Sequence, residues 1–140
     1  MKTLMTACAL SLALASAAQA ADLTVELTGA QARGGKIHST LTTEETFFRP
    51  GGREVDSDPA DGTVTVTFAD LPPGDYAFMA YHDENGDGKM ATAPGGMPTE
   101  GWALSNSDKL MGPPTFEVMK FTVPAEGATV QVPLVYGSGR

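Results

Sequence analysis

Thr63-Val64-Thr65-Val66-Thr67-Phe68-Ala69-Asp70-Leu71-Pro72-Pro73-Gly74-Asp75-Tyr76-Ala77-Phe78-Met79-Ala80-Tyr81-His82 is the stretch that decides the fold. Val64, Val66 and Phe68 alternate with threonines. Tyr76, Phe78, Ala80 and His82 repeat at the same spacing, which is the period of strands with one buried face. Between the two runs, Asp70 to Asp75 reads as a turn. Its two prolines fix their own backbone angles and lack donors, and Gly74 permits positive φ. The stretch is therefore expected to form a hairpin, with Tyr76 and Phe78 facing the core beside Val64, Val66 or Phe68.

The same period appears on either side. Leu23, Val25 and Leu27 alternate with Thr24, Glu26 and Thr28, and Gly29 ends the run. Ile37, Ser39 and Leu41 follow the turn signal Gly34-Gly35. Phe47-Phe48 adds a bulky apolar pair, and the polar segment from Arg49 to Gly62, with its glycines and prolines, reads as a surface loop. Phe116 to Val123 and Ala128 to Tyr136 read as the last two strands. From Met90 to Pro114 no period is sustained, a length of irregular chain (near 90–114) that points to a functional or ion-ordered loop. No helix with an apolar stripe is expected after the first twenty residues. About seven short strands argue an all-β, antiparallel β-sandwich of the immunoglobulin-like kind, with a small barrel as the alternative.

Residues 1–20 combine Lys2, an apolar run from Leu4 to Ala18 and the small-residue ending Ala18-Gln19-Ala20, the pattern of a cleaved secretory signal. The run is shorter than the roughly 20 residues that span a bilayer, so no membrane insertion is expected. Too little apolar chain precedes Cys8 for a lipoprotein signal. Cleavage after Ala20 leaves a single domain over 21–140 in the periplasm or outside the cell, without cysteine and so without disulfides. The chain carries 17 acidic and 9 basic residues, a net charge of −8, and no basic run that would track nucleic acid.

Chemistry concentrates in His82-Asp83-Glu84-Asn85-Gly86-Asp87-Gly88-Lys89. Oxygen-bearing side chains at Asp83, Asn85 and Asp87, with a glycine next, are the first half of a calcium loop. The twelfth position from Asp83 is Pro94 rather than glutamate, which excludes an EF-hand. Further oxygens would come from the Lys89 carbonyl, from water, or from Glu100, with Asp108 or Glu117 as other sources. The competing reading is an Asx turn in which Asp and Asn cap their own backbone. His38 and His82 are too few for a zinc site and read as core or strand-end residues. Ser105 and Ser107 lie in no nucleophile elbow, so no catalytic residue is assigned. Trp102, Asn106 and Phe116 are candidates for a ligand or partner surface, or for a plug at the end of the sandwich.

The run from Phe68 to Tyr76 continuing through His82–Lys89, then Gly96-Met97-Pro98-Thr99-Glu100-Gly101, Ser105-Asn106 and Gly112-Pro113-Pro114-Thr115-Phe116, resembles a family of bacterial secreted proteins, domain of unknown function 2141. The turn and strand pattern is also similar to prealbumin-type modules. Members often carry an acidic residue shortly after the loop, where this chain has Met90-Ala91-Thr92-Ala93. The expectation is an extracytoplasmic, non-catalytic β-sandwich with a calcium loop that orders a contact surface for an unidentified ligand or protein. The alternatives are a cell-envelope hydrolase using Asp83, Asp87 or Glu100, and a plain interaction module without metal.

Overall fold

The structure is a computed structural model that describes residues 20–137. The expected signal segment, apart from Ala20, lies outside the described residues. Eight strands form two sheets: β1 (Ala21–Ala30), β2 (Lys36–Thr42), β3 (Arg53–Ser57), β4 (Gly62–Leu71), β5 (Gly74–Asp83), β6 (Gly101–Leu104), β7 (Phe121–Val123) and β8 (Ala128–Pro133). One sheet runs β4-β1-β8 and the other β3-β2-β5-β6, with β7 paired to the start of β5. The fold is an all-β sandwich. Leu23, Val25, Leu27, Val64, Val66 and Phe68 face Ile37, Leu41, Phe78 and Ala80 across one core. Phe68 and Phe78 meet edge to face with ring centroids 6.2 Å apart, so the expected facing of the central stretch holds.

Its expected pairing does not. β4 pairs antiparallel with β1, and β5 pairs with β2 in the opposite sheet. Pro72-Pro73 carries the chain from one sheet to the other instead of closing a hairpin. Neither proline has an N–H to give a ladder, and each neighbour finds another partner, Leu71 with Ala21 and Gly74 with Val123. A bulge just before the crossing, where Asp70 takes φ +56°, helps re-aim the chain. The Tyr76 hydroxyl donates to the Pro72 carbonyl and fixes the corner.

Five further expectations change. Arg49 to Gly62 contains β3, an edge strand whose exposed Arg53, Glu54 and Asp56 hide any apolar alternation. The segment 90–114 contains β6 and a 3-10 turn at Ser107–Lys109. Phe116–Met119 is one helical turn, capped by the Thr115 hydroxyl accepting from the Val118 amide, and only Phe121–Val123 is strand. β8 stops at Pro133; the chain then crosses to pair Val135 with Trp102 in the other sheet. The sheets are not wholly antiparallel either, because β8 returns parallel to β1 after the chain has built the second sheet.

Candidate functional site

β5 delivers Asp83 to the end of the larger sheet, opposite Lys36 at the start of β2. Gly35 makes that approach possible: a side chain there would begin 1.7 Å from the Asp83 carbonyl oxygen. The Asp83 carboxylate is 3% exposed. Its Oδ1 accepts from the Asp87 amide at 3.1 Å and its Oδ2 from the Gly88 amide at 2.8 Å. The Asn85 Oδ1 accepts from the same Asp87 amide at 3.2 Å, and Asp87 Oδ1 accepts from the Lys89 amide at 2.9 Å. Gly88 sits at φ +75°, a left-handed conformation that a side chain would strain. The Tyr81 hydroxyl donates to the Gly88 carbonyl at 3.0 Å and pins the tip of the loop back to β5.

Glu100, the remote carboxylate nominated from sequence, does reach this loop, at its base. It is buried, and its Oε1 accepts from the Glu84 amide at 3.1 Å while its Oε2 accepts from the Ala91 amide at 3.0 Å. One side chain thereby holds both ends of the loop. Beyond it, Thr92 pairs with Pro98, and the Ala93 and Thr99 amides donate to Met97 and Ala91, which gives the segment after the loop a small β-arm. Glu117 pairs instead with Lys120, and Asp108 is exposed in the 3-10 turn. Among the described residues, no three His, Cys, Asp or Glu side chains gather as a metal-ligating group.

The two histidines play different parts. His82, which has no exposed surface, places Nε2 2.8 Å from the Gly34 carbonyl and Nδ1 2.9 Å from the Tyr136 hydroxyl. A carbonyl only accepts, so Nε2 carries the proton and Nδ1 accepts from Tyr136. The Tyr136 oxygen in turn accepts from the Gln31 amide. Arg33 lies over the Tyr136 ring, 4.8 Å from its centroid, and pairs with Glu84. This network ties the C-terminal segment to the start of the Asp83 loop and confirms His82 as a core residue.

His38 is neither core nor strand end. It stands on the outer face of the larger sheet, with Nδ1 2.7 Å from Asp56 Oδ1 and Nε2 3.4 Å from Asp83 Oδ2. Its ring stacks at a tilt on Tyr81, centroids 5.0 Å apart. Burial pushes its pKa down, but the hydrogen bond and charge of Asp56, followed by those of Asp83, outweigh it and hold His38 above the ordinary histidine value. Burial likewise pushes the Asp83 carboxyl up. The amides of Gly88 and Asp87, with His38, overcome that and hold it below the usual carboxylate range. The alternation of Ile37, Ser39 and Leu41 already puts His38 on the opposite face; its partner was hidden because Asp56 lies in the segment read as loop.

Trp102, Asn106 and Phe116 do not form one surface. Trp102 is in β6, paired with Tyr81 on one side and Val135 on the other. Asn106 spends its amide on the carbonyls of Val118, Met119 and Lys120, clipping down the helical turn. Phe116 packs on Phe47, rings 5.8 Å apart, beside an open acidic hollow of about 410 Å³ that also includes Glu44, Glu45 and Asp75. Ser105 is buried: its Oγ donates to the Met119 carbonyl at 2.7 Å and accepts from the Phe78 amide at 3.0 Å, so it has no free hydroxyl to act as a nucleophile.

No curated protein and no solved structure matches the chain. A family model matches residues 25–131, a span that takes in the core of the sandwich, the Asp83 loop, Glu100 and the helical turn. The chain thus belongs to the family described as uncharacterized protein conserved in bacteria, DUF2141.

Proposed function

We propose that this chain is an exported, non-catalytic binding module whose Asp83 loop takes calcium and, once ordered by the ion, shapes the adjoining sheet face for contact with a ligand or partner. One observation carries the reading. The side chains of Asp83, Asn85 and Asp87 gather on a single turn: oxygens of the first two meet on the Asp87 amide, and Asn85 Nδ2 lies 3.5 Å from Asp87 Oδ2. A carboxylate has about four lone-pair sites, so two amide bonds and the His38 contact still leave Asp83 one site for a cation. Flexible coordination by carboxylate, amide and carbonyl oxygens suits calcium better than the tight octahedron of magnesium.

Export is supported by the charged start, apolar run and Ala18-Gln19-Ala20 ending, and by β1 beginning at Ala21, where cleavage would leave the new terminus. The reading without metal draws on the same bonds, since both Asp83 oxygens already cap backbone amides. Calorimetric titration separates the two. Chelator-treated protein should give a saturable heat with calcium, absent in Asp87→Ala; a flat titration of the native chain makes the loop a capped turn.

A further inference from the structure

The outer face of the larger sheet is ordered in a way that neither the loop nor the core explains. Register puts Asp56, His38, Tyr81 and Trp102 side by side across β3, β2, β5 and β6, and puts Glu54, Thr40, Met79 and Leu104 in the adjacent row. Both rows run from carboxylates on β3 to apolar side chains on β6. Two hollows lie on this grid and share His38, Thr40 and Tyr81. The first, about 310 Å³, is lined also by Glu54, Asp56 and Gly88. The second, about 180 Å³, is lined by Met79, Leu104, Met90 and Phe48.

Neither hollow is lined by a lysine or arginine. Asp56 is engaged by His38, and Glu54 makes no hydrogen bond or ion pair among the described residues, so a carboxylate stands unneutralised at the acidic end. At the other end Phe48 is 62% exposed, held at φ +51°, and Met90 is 38% exposed. A large aromatic in a strained conformation over an apolar hollow leaves surface that a ligand would cover. We propose that this face binds a small organic cation with a linear apolar tail, its ammonium beside Glu54 and its tail along Met79 and Leu104 between Phe48 and Met90.

The charge order decides the polarity of the ligand. An anion would meet Glu54 and the field of a chain carrying −8, whereas a cation gains from both. The size follows from the sheet: β3 to β6 is three interstrand steps, roughly 14 Å, which an amine on a chain of about eight carbons fills from Glu54 to Leu104. Glu54, Thr40, Met79, Leu104 and Phe48, which carry the site, lie outside the Asp83 loop, although Gly88 and Met90 border it. The inference therefore stands or falls apart from the calcium reading and is tested in chelator.

The test follows n-octylamine binding to the mature chain by amide and methyl chemical shifts, with octanoate and n-butylamine as matched probes. Octylamine should shift Thr40, Met79, Tyr81 and Leu104 saturably. Butylamine should bind at least tenfold more weakly, since each buried methylene is worth about fourfold in affinity. Glu54→Gln, on an exposed edge position that should leave the fold intact, should weaken octylamine about threefold to tenfold and abolish its preference over octanoate. Octanoate binding as tightly as octylamine, shifts that map off this face, or no saturable shift would each overturn the proposal.

Discussion

Removing the Glu100 carboxylate should release both ends of the Asp83 loop. In Glu100→Ala the amides of Glu84 and Ala91, now 3.1 and 3.0 Å from its oxygens, lose their acceptor together. A hydrogen bond to a charged group contributes roughly 1.5–3 kcal/mol, and a donor left unmade in a buried site costs about 1–3 kcal/mol. Glu84 and Ala91 are only half-buried, so water replaces part of each bond and the low end applies. The expected loss is about 2–3 kcal/mol in all. Glu100→Gln keeps one carbonyl oxygen but turns an NH2 toward the second amide, so it should lose at least half as much. Urea denaturation in chelator reads this as a fall of about 1 M in the midpoint, given the usual slope of 1–3 kcal/mol per M. Hydrogen exchange gives the local readout: the Glu84 and Ala91 amides should exchange faster in both variants. A Glu100→Ala protein with an unchanged midpoint and unchanged exchange at those amides would refute the brace.

Phe78→Ala, which empties a fully buried position facing Phe68, should cost about 3–5 kcal/mol by denaturation; a loss no larger than that of a surface substitution would mean the strand faces the other way. His38 is held above 6.5 in the fold. Its contribution to stability is therefore complete below that pH and is lost as pH rises through the raised value, a slope that Asp56→Asn should flatten. Asp83 is held below 3.8 and works in the opposite sense, so its contribution is present above 3.8 and is lost as acid carries the pH down through the lowered value. NMR titration of His38 beside stability curves at several pH values checks both. Intact mass of the exported native protein should correspond to a chain starting at Ala21; a mass that retains Met1 to Ala20, or lipid on Cys8, contradicts the export reading.

How far the sequence could be read depended on which forces act locally. Alternation at Val64, Val66, Phe68, Tyr76 and Phe78 dictates which side chains face inward, because successive residues of a strand point to opposite faces. It does not dictate the neighbouring strand. Pro72-Pro73 looks the same in a tight turn as in a crossing between sheets, and only the partners of Leu71 and Gly74 decide. β3 escaped notice because an edge strand needs little apolar surface: Val55 is its only residue packed on the core. Only the β2–β3 register brings Asp56 beside His38, and the outer face is built from that register rather than from any local pattern. The Asp83 loop was legible because its spacing is local. Glu100 was legible only as a nearby carboxylate; its use as a brace depends on where Glu84 and Ala91 place their amides.

The most direct measurement is the melting temperature of residues 21–140 with and without calcium. An ion that binds only the folded state stabilises it by about 2.7 kcal/mol when free calcium is one hundred times the dissociation constant, or roughly 10 °C for a domain of this size. Native protein and Glu84→Ala, whose side chain lies off the ligand positions, should both rise with calcium, and magnesium should do less. Asp87→Ala should not respond. An unmoved melting curve for chelator-treated native protein at saturating calcium would contradict the account, as would an equal rise in Asp87→Ala.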